Sequence, residues 1–462
     1  MGLQEQIVNA SALLPEVPKP ERKQTLTVRL LWTMVAAVAF LVMAVTPLYG
    51  VKPGATEFST LQIIFASTQG TLMSLGIGPI VSAGLIIQLL STSKIIKIDL
   101  GTEAGQEVYA ASTKVLTFII IASEASLFIV SGVFGNVFGS GAVIDFAELF
   151  IASTFVFLMD EMIQKGWGIG SGVSLFILAG VAMDIGWDLF SPAAVQITST
   201  TSQFVGFIPA LVTAGITNAW QSILVRNQLP DLVGLIATIV ALVGLLYIEG
   251  VKIELPLTSS KYRGFNSVYP IKLLYVSNIP VILVSALSQN VIILANFVKD
   301  IPYLGWLVNY LAVYNSSGAL IGGPLYYISQ PTSFAGTLAD PWHSVVFTVF
   351  MMFAALIIAH MWVSVGGLSA HDVAKNLTTS DLQIPGFRKA TVPLEQLLKK
   401  YIVNVTTLGG LLIGFIAGAS AAFGVYGTGI GLLLAIDITL QYYQQLAAEE
   451  LTETPLLEKV IK

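Results

Sequence analysis

Residues 57–90 read EFSTLQIIFASTQGTLMSLGIGPIVSAGLIIQLL, a stretch that is apolar enough for a membrane but of unusual length. It is too long for one spanning helix of about 20 residues and too short for two. Its first half carries hydroxyl and amide side chains, its second half is almost entirely aliphatic, and Gly76-Ile77-Gly78-Pro79 lies between them. Because proline removes an amide donor and breaks a helix, the pattern predicts a half-helix, a break and then a full span. Broken backbone at membrane depth must be covered by protein or a water-filled cavity, so we expect this stretch to face a bundle interior beside an aqueous path. A kinked helix packed on small residues is the alternative.

The composition is that of an all-α polytopic membrane protein. Hydrophobic residues make up 55% of the 462 residues and charged residues 11%, whereas soluble proteins average about 25% charged residues. The absence of cysteine excludes disulfides, thiolate metal sites and thiol chemistry. The spacing of His343, His360 and His371 fits no usual metal motif, and the sequence contains no P-loop and no paired catalytic groups. We therefore expect neither a cofactor nor enzymatic activity.

Hydropathy predicts ten transmembrane helices, and the basic residues orient them. The predicted spans are 29–48, 76–92, 114–133, 143–163, 171–188, 232–248, 273–297, 343–365, 401–422 and 428–446. With the N-terminus in the cytoplasm, all but three of the 22 basic residues fall on the cytoplasmic side; the exceptions are Lys52, Arg226 and Lys299. Basic residues accumulate on the cytoplasmic side of membrane proteins, so the pattern predicts that both termini are cytoplasmic.

The loops divide the chain into two halves of five spans each. The predicted organisation is a cytoplasmic segment at 1–28 with a possible surface helix, an N-terminal half at 29–188, an outer linker at 189–231, a C-terminal half at 232–446 and a cytoplasmic tail at 447–462. Because five is an odd number, the second half must insert upside down relative to the first. This arithmetic predicts an inverted repeat, with a functional site near the interface of the halves.

Charged residues single out two loops and two spans. The large cytoplasmic loops 249–272 and 366–400 carry Arg263 and the pair Arg388 and Lys389. Such loops suit docking to an anionic partner, including RNA phosphate, although basic cytoplasmic loops also serve only as topology signals. Within the spans, Glu124 and Asp437 are the ionisable residues that suggest a functional role by default.

Several longer motifs, spread across the chain in the same order as in that family, together resemble the archaeal form of the SecY family. This family is the central (alpha) subunit of the Sec protein-conducting channel. They are LGIGPIVSAGLIIQLL (75–90), DEMIQKGWGIGSGVSLFI (160–177), YPIKLLYVSNIPVIL (269–283), GFRK (386–389) and GTGIGLLL (427–434). The resemblance implies a clamshell of two inverted five-helix halves with a re-entrant plug half-helix at about 58–73. It also implies a protein translocation channel that passes unfolded secretory polypeptides across the membrane.

The resemblance further assigns residues to a pore and to a lateral gate. By motif position, the apolar pore ring consists of Ile77, Val81, Val173, Ile177, Ile282 and Leu432. A narrow apolar constriction gates by dewetting, and aliphatic side chains can yield around a passing chain. The lateral gate lies where the second and third spans meet the seventh and eighth, and it releases membrane segments into lipid. Its polar cluster consists of Ser82, Glu124 and Asn290.

The partners implied by the resemblance are a single-span SecE-like gamma subunit, a small beta subunit, and the ribosome with its nascent polypeptide. Signal sequences and membrane lipid are the other implied partners. The residues expected to contact the ribosome are Arg263, Arg388 and Lys389. The predicted location of the chain is the cell membrane. The alternative from another class is an inverted-repeat secondary transporter for a small solute. It predicts saturable solute binding that depends on a midplane carboxylate such as Glu124.

Overall fold

The structure is a computed structural model, and its described residues divide into two compact units. It describes residues 3–22, 24–49, 51, 68, 70–92, 96, 98, 102–130, 139–198, 201–227, 229–259, 266–276, 278–298, 305–314, 320–331, 333–379, 382–383 and 391–453. The first unit comprises Met1–Asp184 with Ile438–Lys462, and the second comprises Ile185–Asp437.

Helices dominate the described residues, and short antiparallel strands lie between them. The α-helices are α1 (Leu3–Ala12), α2 (Leu26–Val45), α3 (Gly78–Thr92), α4 (Glu103–Val130), α5 (Ser140–Met162), α6 (Gly172–Phe190), α7 (Phe207–Thr217), α8 (Leu232–Gly250), α9 (Ile279–Val298), α10 (Gly305–Leu311), α11 (Pro324–Ile328), α12 (Phe334–Ala339), α13 (Pro341–Val365), α14 (Ala370–Thr379), α15 (Thr391–Ala422) and α16 (Gly429–Glu453). A π-helical turn, Ile163–Trp167, continues α5, and a 3₁₀ turn, Trp220–Ile223, follows α7. The strands are β1 (Ala194–Thr198), β2 (Thr201–Phe204), β3 (Lys252–Ser259), β4 (Asn266–Lys272), β5 (Val313–Tyr314), β6 (Leu320–Gly322) and β7 (Leu382–Gln383). β1 pairs with β2, β5 pairs with β6, and β3 lies between β4 and β7.

The predicted helix break at residues 76–79 is confirmed. Residues 70–77 form turns, Gly76 has a φ of +55°, and α3 begins at Gly78 with Pro79 in its first turn. Proline is tolerated there because the first amides of a helix have no intrahelical acceptor. The broken backbone is covered by protein, as predicted: Ile77 is completely buried, and the neighbouring glycines and Pro79 are buried as well.

The helices of the first unit pack through large apolar side chains. Phe40 of α2 stacks on Phe176 of α6 with ring centroids 4.9 Å apart, and both side chains are buried. α3 packs against α4, and α4 packs against α5. Leu149 of α5 and Ala125 of α4 meet Leu48 and Leu75 in a buried cluster at the segment before α3.

In the second unit, small residues bring α13 and α15 into close contact. A Cβ added at Gly414 of α15 would lie 2.6 Å from the backbone oxygen of Met351 on α13, and one at Gly418 would lie 2.6 Å from the Cα of Thr348. Helices in membranes associate largely through such backbone approaches between small residues. This pair is therefore a rigid centre of the second unit.

Seven described helices are long and apolar enough to cross a membrane. They are α2, α4, α5 with its π-helical turn, α6, α8, α13 and α15. The three other predicted spans fall on α3, α9 and α16, and α3 has only 15 residues, fewer than the roughly 20 that a straight span needs. The count of ten spans stays a prediction.

Three predicted span starts do not coincide with helix starts. The helices expected from residues 114 and 401 begin earlier, at Glu103 and Thr391, and the helix expected from residue 273 begins later, at Ile279. Hydropathy detects only the membrane part of a helix. The part of α4 before residue 114 carries Gln106 and Glu107, and the part of α15 before residue 401 carries Glu395, Lys399 and Lys400. α9 starts late because Pro280 disfavours a helical conformation in the residues that precede it.

Candidate functional site

The glycine-rich turn 166–172 is a junction where helices of the first unit meet closely. Gly170 has a φ of +75°, and a Cβ at this position would lie 2.9 Å from the ring of Tyr442 on α16. The Tyr442 hydroxyl donates to the Ser171 carbonyl at 2.9 Å, and the Arg29 Nε at the start of α2 donates to the Gly168 carbonyl at 2.9 Å. The stretch is therefore a tight turn at which α2, α6 and α16 pack closely.

Asp160 of α5 fixes the start of α6, the helix that carries two of the predicted pore residues. Its Oδ1 accepts a hydrogen bond from the Val173 amide at 2.9 Å, and its Oδ2 accepts one from the Gln164 side chain at 2.8 Å. A Cβ at Gly172 would lie 2.6 Å from the Asp160 Cα, so only glycine permits this approach. Asp160 thus caps α6 from a neighbouring helix and positions Val173 and, one turn later, Ile177.

The two ends of the predicted plug segment are joined in the first unit. The Leu48 amide donates to the Gly70 carbonyl at 2.9 Å, and the Leu72 amide donates to the Thr46 carbonyl at 3.0 Å. Apart from residues 68 and 70–73, the predicted half-helix at 58–73 lies outside the described residues. The described residues on the two sides of this segment therefore lie together, shortly before the break at Gly76.

The pore residues predicted in the first unit differ in exposure. Ile77 is completely buried at the break, and Ile177 is 8% exposed on α6. Val81 on α3 and Val173 on α6 are half-buried. The Ile77 carbonyl accepts the amides of Ile80 and Val81 at 3.1 Å, so the backbone there is already locked into the first turn of α3.

In the second unit, Asn278 links the helices that carry the other two predicted pore residues. Its side-chain amide donates to the Leu433 carbonyl at 3.3 Å and to the Asp437 carboxylate at 3.1 Å, both on α16. Ile282 lies in the first turn of α9 directly after Asn278 and is half-buried, and Leu432 of α16 is 3% exposed. Asp437, which the sequence suggested as a functional ionisable residue, is thus a hydrogen-bond acceptor for Asn278.

The predicted lateral-gate residues lie on three helices. Ser82 on α3 and Glu124 on α4 are half-buried in the first unit, whose helices α3 and α4 pack together. Asn290 lies on α9 in the second unit. Their association as one polar cluster stays a prediction.

The two large loops with basic residues join in a single small module. β3 and β4 of the first loop form a hairpin, and β7 of the second loop pairs with the end of β3, with Ser259 opposite Leu382. α14 and the start of α15 cover the sheet and bury Leu255, Ile271 and Leu398. Arg263, Arg388 and Lys389 lie outside the described residues, but the chain segments that flank them, β3 and β4 for Arg263 and β7 and α15 for the other two, all belong to this module.

The end of the segment that joins α6 to α8 is fixed by a buried arginine. The Arg226 guanidinium donates to the carbonyls of Pro230, at 2.8 Å, Val205 and Phe204, and the residue is 3% exposed. Asp231 caps α8 by accepting the Gly234 amide at 2.7 Å, and its backbone carbonyl accepts the Tyr426 hydroxyl at 2.6 Å. Burial lowers the pKa of the Arg226 guanidinium, and the nearby Asp231 carboxylate opposes this shift.

The three histidines make structural contacts. His343 is buried and its ring lies 4.1 Å from the Tyr326 ring, while His360 and His371 contact Thr407 and Glu395. In the part of the chain that the structure describes, no group of three or more histidine, aspartate or glutamate side chains could hold a metal ion.

Sequence and structure comparisons agree with one another over nearly the whole chain. The family model for SecY matches residues 71–443, and the model for the plug domain of Sec61p matches residues 38–70. The protein translocase subunit SecY of Aeropyrum pernix is 37% identical over 471 residues, which cover 100% of this chain and 99% of that protein. The match to the plug-domain model, residues 38–70, contains most of the predicted plug half-helix at 58–73 and also covers the end of α2.

Two solved structures are similar in the same way. A protein-conducting channel shares 32% identity with a TM-score of 0.78, covering 97% of this chain and 98% of its own. Sec61 in a canine ribosome–channel complex from the endoplasmic reticulum shares 31% identity with a TM-score of 0.77 and the same coverage. These findings set aside the alternative of a secondary transporter. The chain is a multi-pass membrane protein that belongs to the SecY family and is a subunit of a protein translocation channel.

Proposed function

We propose that unfolded secretory polypeptides cross the membrane through a waist whose walls are the six apolar residues named from the motifs. The observation that carries this proposal is that three separate structural features, one for each pair of these residues, hold the backbone near them. Ile77 and Val81 follow the buried break at Gly76, and Asp160 caps the helix of Val173 and Ile177. Asn278 ties together the helices of Ile282 and Leu432.

An apolar waist suits this task for two physical reasons. A narrow constriction without polar groups expels water and so resists the passage of ions. Isoleucine, leucine and valine also offer no directional hydrogen bonds, so no particular polypeptide sequence is bound tightly. The waist is therefore a seal that yields to a chain, and the energy for movement comes from a partner or from chain synthesis rather than from catalysis by this subunit.

The segment at about 58–73 is a plug on the outer side of the waist. Support comes from the joined ends of the segment at Leu48 and Gly70 and from the match of the plug-domain model to residues 38–70.

The lateral gate is formed by α3 and α4 on one side and by α9 and α13 on the other. Hydrogen bonds among Ser82, Glu124 and Asn290 hold it closed, and an apolar signal sequence or membrane segment replaces them. We expect Asn290→Leu to alter the stringency with which signal sequences are accepted in a transport assay. Unchanged stringency across strong and weak signal sequences would count against this gate.

The sheet of β3, β4 and β7 is the docking surface for the ribosome. The pairing of Ser259 with Leu382 supports one composite surface, and the similar Sec61 structure is that of a ribosome–channel complex. Arg263, Arg388 and Lys389 contact RNA phosphate. Arg388→Glu should weaken ribosome binding in a salt-sensitive way. The deficit relative to the unmodified chain should be largest at low salt and shrink as the salt concentration rises, because a phosphate contact that releases counterions is lost. Binding equal to that of the unmodified chain would remove Arg388 from the surface.

The complex contains a single-span SecE-like gamma subunit that clamps the two halves, and a small beta subunit. The chain lies in the cell membrane with both termini in the cytoplasm, as the distribution of basic residues supports. The two halves, 29–188 and 232–446, are joined by the outer linker 189–231 and move relative to one another when the channel opens.

A leak measurement tests the waist directly. Val173→Ser and Ile282→Ser place hydroxyls in the seal, and Val240→Ser is the matched control because Val240 is 66% exposed on α8. In vesicles containing the chain with its small subunits, we expect faster chloride efflux for the two waist variants and unchanged efflux for the control. Efflux equal to that of the unmodified chain in both waist variants would contradict the proposed ring.

A further inference from the structure

The segment between α6 and α8 carries no charge over an unusual length for a loop. No Asp, Glu, Lys, Arg or His occurs between Asp188 and Arg226. Soluble proteins average about one charged residue in four, so a loop surrounded by water would be expected to contain several. The composition of this segment is closer to that of a membrane-embedded stretch.

Helix α7, in the middle of this segment, has two apolar faces. Its inner face buries Ala210 and Ala214 against Ile223. On its other face, Ile208, Val212 and Ile216 follow one another at intervals of one turn and are 38%, 58% and 78% exposed. Trp220, directly after the helix, is 54% exposed.

The hydroxyl groups on this helix are satisfied internally. Thr213 Oγ1 donates to the Pro209 carbonyl and Thr217 Oγ1 to the Thr213 carbonyl, both at 2.9 Å. Threonine can make this bond to the preceding turn in any helix, and in a membrane it pairs the hydroxyl group where no water is available. The exposed surface of α7 can therefore enter an apolar environment without leaving a side-chain donor unpaired.

Both ends of the segment are fixed to the ends of membrane spans. The Gly206 amide, directly before α7, donates to the Ser191 carbonyl at 3.1 Å, and Ser191 directly follows α6. At the other end, Arg226 donates to Pro230, just before α8, and to the Phe204 and Val205 carbonyls just before α7. α7 is thus held at the level where α6 and α8 leave the membrane.

Aromatic residues mark the same level. Trp187 and Phe190 in the last turn of α6 are 56% and 63% exposed. Tryptophan is enriched at the boundary between acyl chains and headgroups, where its ring is apolar and its N–H remains hydrated. Together with Trp220 they place the boundary at the end of α6 and beside α7.

We propose that α7 is an interfacial helix whose face of Ile208, Val212 and Ile216 inserts into the acyl-chain and headgroup boundary of the lipid bilayer. The occupant of this face is lipid rather than water or protein, since the segment is uncharged, its hydroxyls are internally bonded and its ends are fixed at span ends. The leaflet is the outer one under the orientation proposed above. The helix anchors the linker between the two halves to the membrane surface.

Depth-dependent quenching tests this placement, and the absence of cysteine makes single labels simple. Ile216→Cys is labelled with bimane, with Val240→Cys as a control in the span α8 and Glu254→Cys as a control on the water-exposed strand β3. Each labelled chain, with its small subunits, is placed in phosphatidylcholine vesicles brominated near the glycerol end or near the methyl end of the acyl chains. Val212→Cys repeats the measurement at a second site.

At Ile216 and Val212 we expect a larger loss of fluorescence with bromine near the glycerol end than with bromine near the methyl end, and little quenching by aqueous iodide. Val240 should show bromine quenching with the opposite or equal depth preference, and Glu254 should respond to iodide alone. Iodide quenching at Ile216 like that at Glu254 would place α7 in water. No quenching by either agent would place α7 under a protein partner, and quenching mainly by bromine near the methyl end would place it too deep in the bilayer. Each of these three results would overturn the proposal. Bromine quenching at Val240 shows that the chain is inserted whatever the outcome at α7, so this proposal can fail without the channel function failing.

Discussion

Replacing Asp160 with alanine tests whether one carboxylate fixes the start of the helix that carries Val173. The carboxylate is 4% exposed and accepts hydrogen bonds from the Val173 amide and from the Gln164 side chain at 2.9 and 2.8 Å. Alanine keeps the Cβ atom that packs near Gly172, so the variant removes hydrogen bonds without opening a large cavity.

The expected loss follows from these bonds. Removing a helix cap costs about 0.5–2 kcal/mol, and a buried amide without an acceptor costs about 1–3 kcal/mol. Because both values describe largely the same bond, they are not added, and we expect Asp160→Ala to lower the free energy of unfolding by about 2–3 kcal/mol. Asp160→Asn retains an oxygen for the Val173 amide but loses the charge, which weakens such a bond roughly twofold, so its loss should be about half as large.

Thermal unfolding of the purified complex and chloride efflux from vesicles measure the two consequences. The unfolding midpoint should fall in the order Asp160→Asn and then Asp160→Ala, and the alanine variant should also leak chloride because Val173 loses its fixed position. Glu107→Ala is the control, since Glu107 is an exposed acid on α4 whose removal should change stability by less than about 0.5 kcal/mol. An alanine variant as stable and as tight as this control, or an asparagine variant as unstable as alanine, would refute the reasoning.

Three further variants probe other contacts, each by the unfolding midpoint of the complex. Gly414→Ala forces a Cβ to within 2.6 Å of the backbone oxygen of Met351, and it should lower the free energy of unfolding by about 1–3 kcal/mol. The control is Gly244→Ala, whose added Cβ meets nothing within 4 Å, and its effect on stability should be neutral or slightly stabilising. Equal effects of the two variants would show that α13 and α15 can separate freely. Arg226→Met leaves three carbonyls without their donor and should cost roughly 3 kcal/mol, with Arg226→Lys losing less; a methionine variant of unchanged stability would contradict the role of the guanidinium. A hydrogen bond from the Lys165 side chain holds the pKa of the Glu16 carboxyl below its ordinary value of 4.5. The stability that the ionised Glu16 contributes is therefore complete above about pH 4.5, and it is lost as the pH falls through the lower pKa of the folded state. Glu16→Gln should therefore be less stable than the unmodified chain at neutral pH, by less than about 1 kcal/mol for so exposed a pair, and the difference should disappear in acid; a difference that grows in acid would reverse this assignment.

Features with a local signal could be predicted from the sequence. Gly76 and Pro79 mark a helix break whatever surrounds them, because the restriction lies in the backbone itself. The apolar spans follow from the length of hydrocarbon that a bilayer requires.

Features that depend on residues distant in sequence could not be predicted. Asp160 caps the start of α6 by accepting the Val173 amide. A capping residue normally lies directly before its helix in the sequence, whereas Asp160 lies on the preceding helix, so no sequence pattern identified it as a cap. The contact between the Asn278 amide and the Asp437 carboxylate could not be predicted either, because the two residues are far apart in the chain. The pairing of β3 with β7 likewise joins two loops that the sequence treats as separate.

The linker 189–231 shows how a short element escapes hydropathy. The sequence predicted only an outer linker here, and the structure shows that this linker contains a hairpin and the helix α7. At 11 residues α7 is too short to be detected as a span. Apart from its two threonines, all of its faces are apolar in sequence. Only the structure shows that Ala210 and Ala214 are buried while Val212 and Ile216 are exposed.

The central claim is that a polypeptide passes through the waist, and a disulfide cross-link tests it most directly. Ile282→Cys introduces the sole thiol in a chain that has no cysteine, and a secretory polypeptide with one cysteine is stalled partway through its synthesis in the presence of the complex. We predict a disulfide between the stalled polypeptide and position 282 that requires an intact signal sequence, the same result for Leu432→Cys, and none for Val240→Cys on the outer surface of α8. Absence of the cross-link at Ile282, Leu432 and Ile77, or a cross-link that forms equally without a signal sequence, would contradict the account.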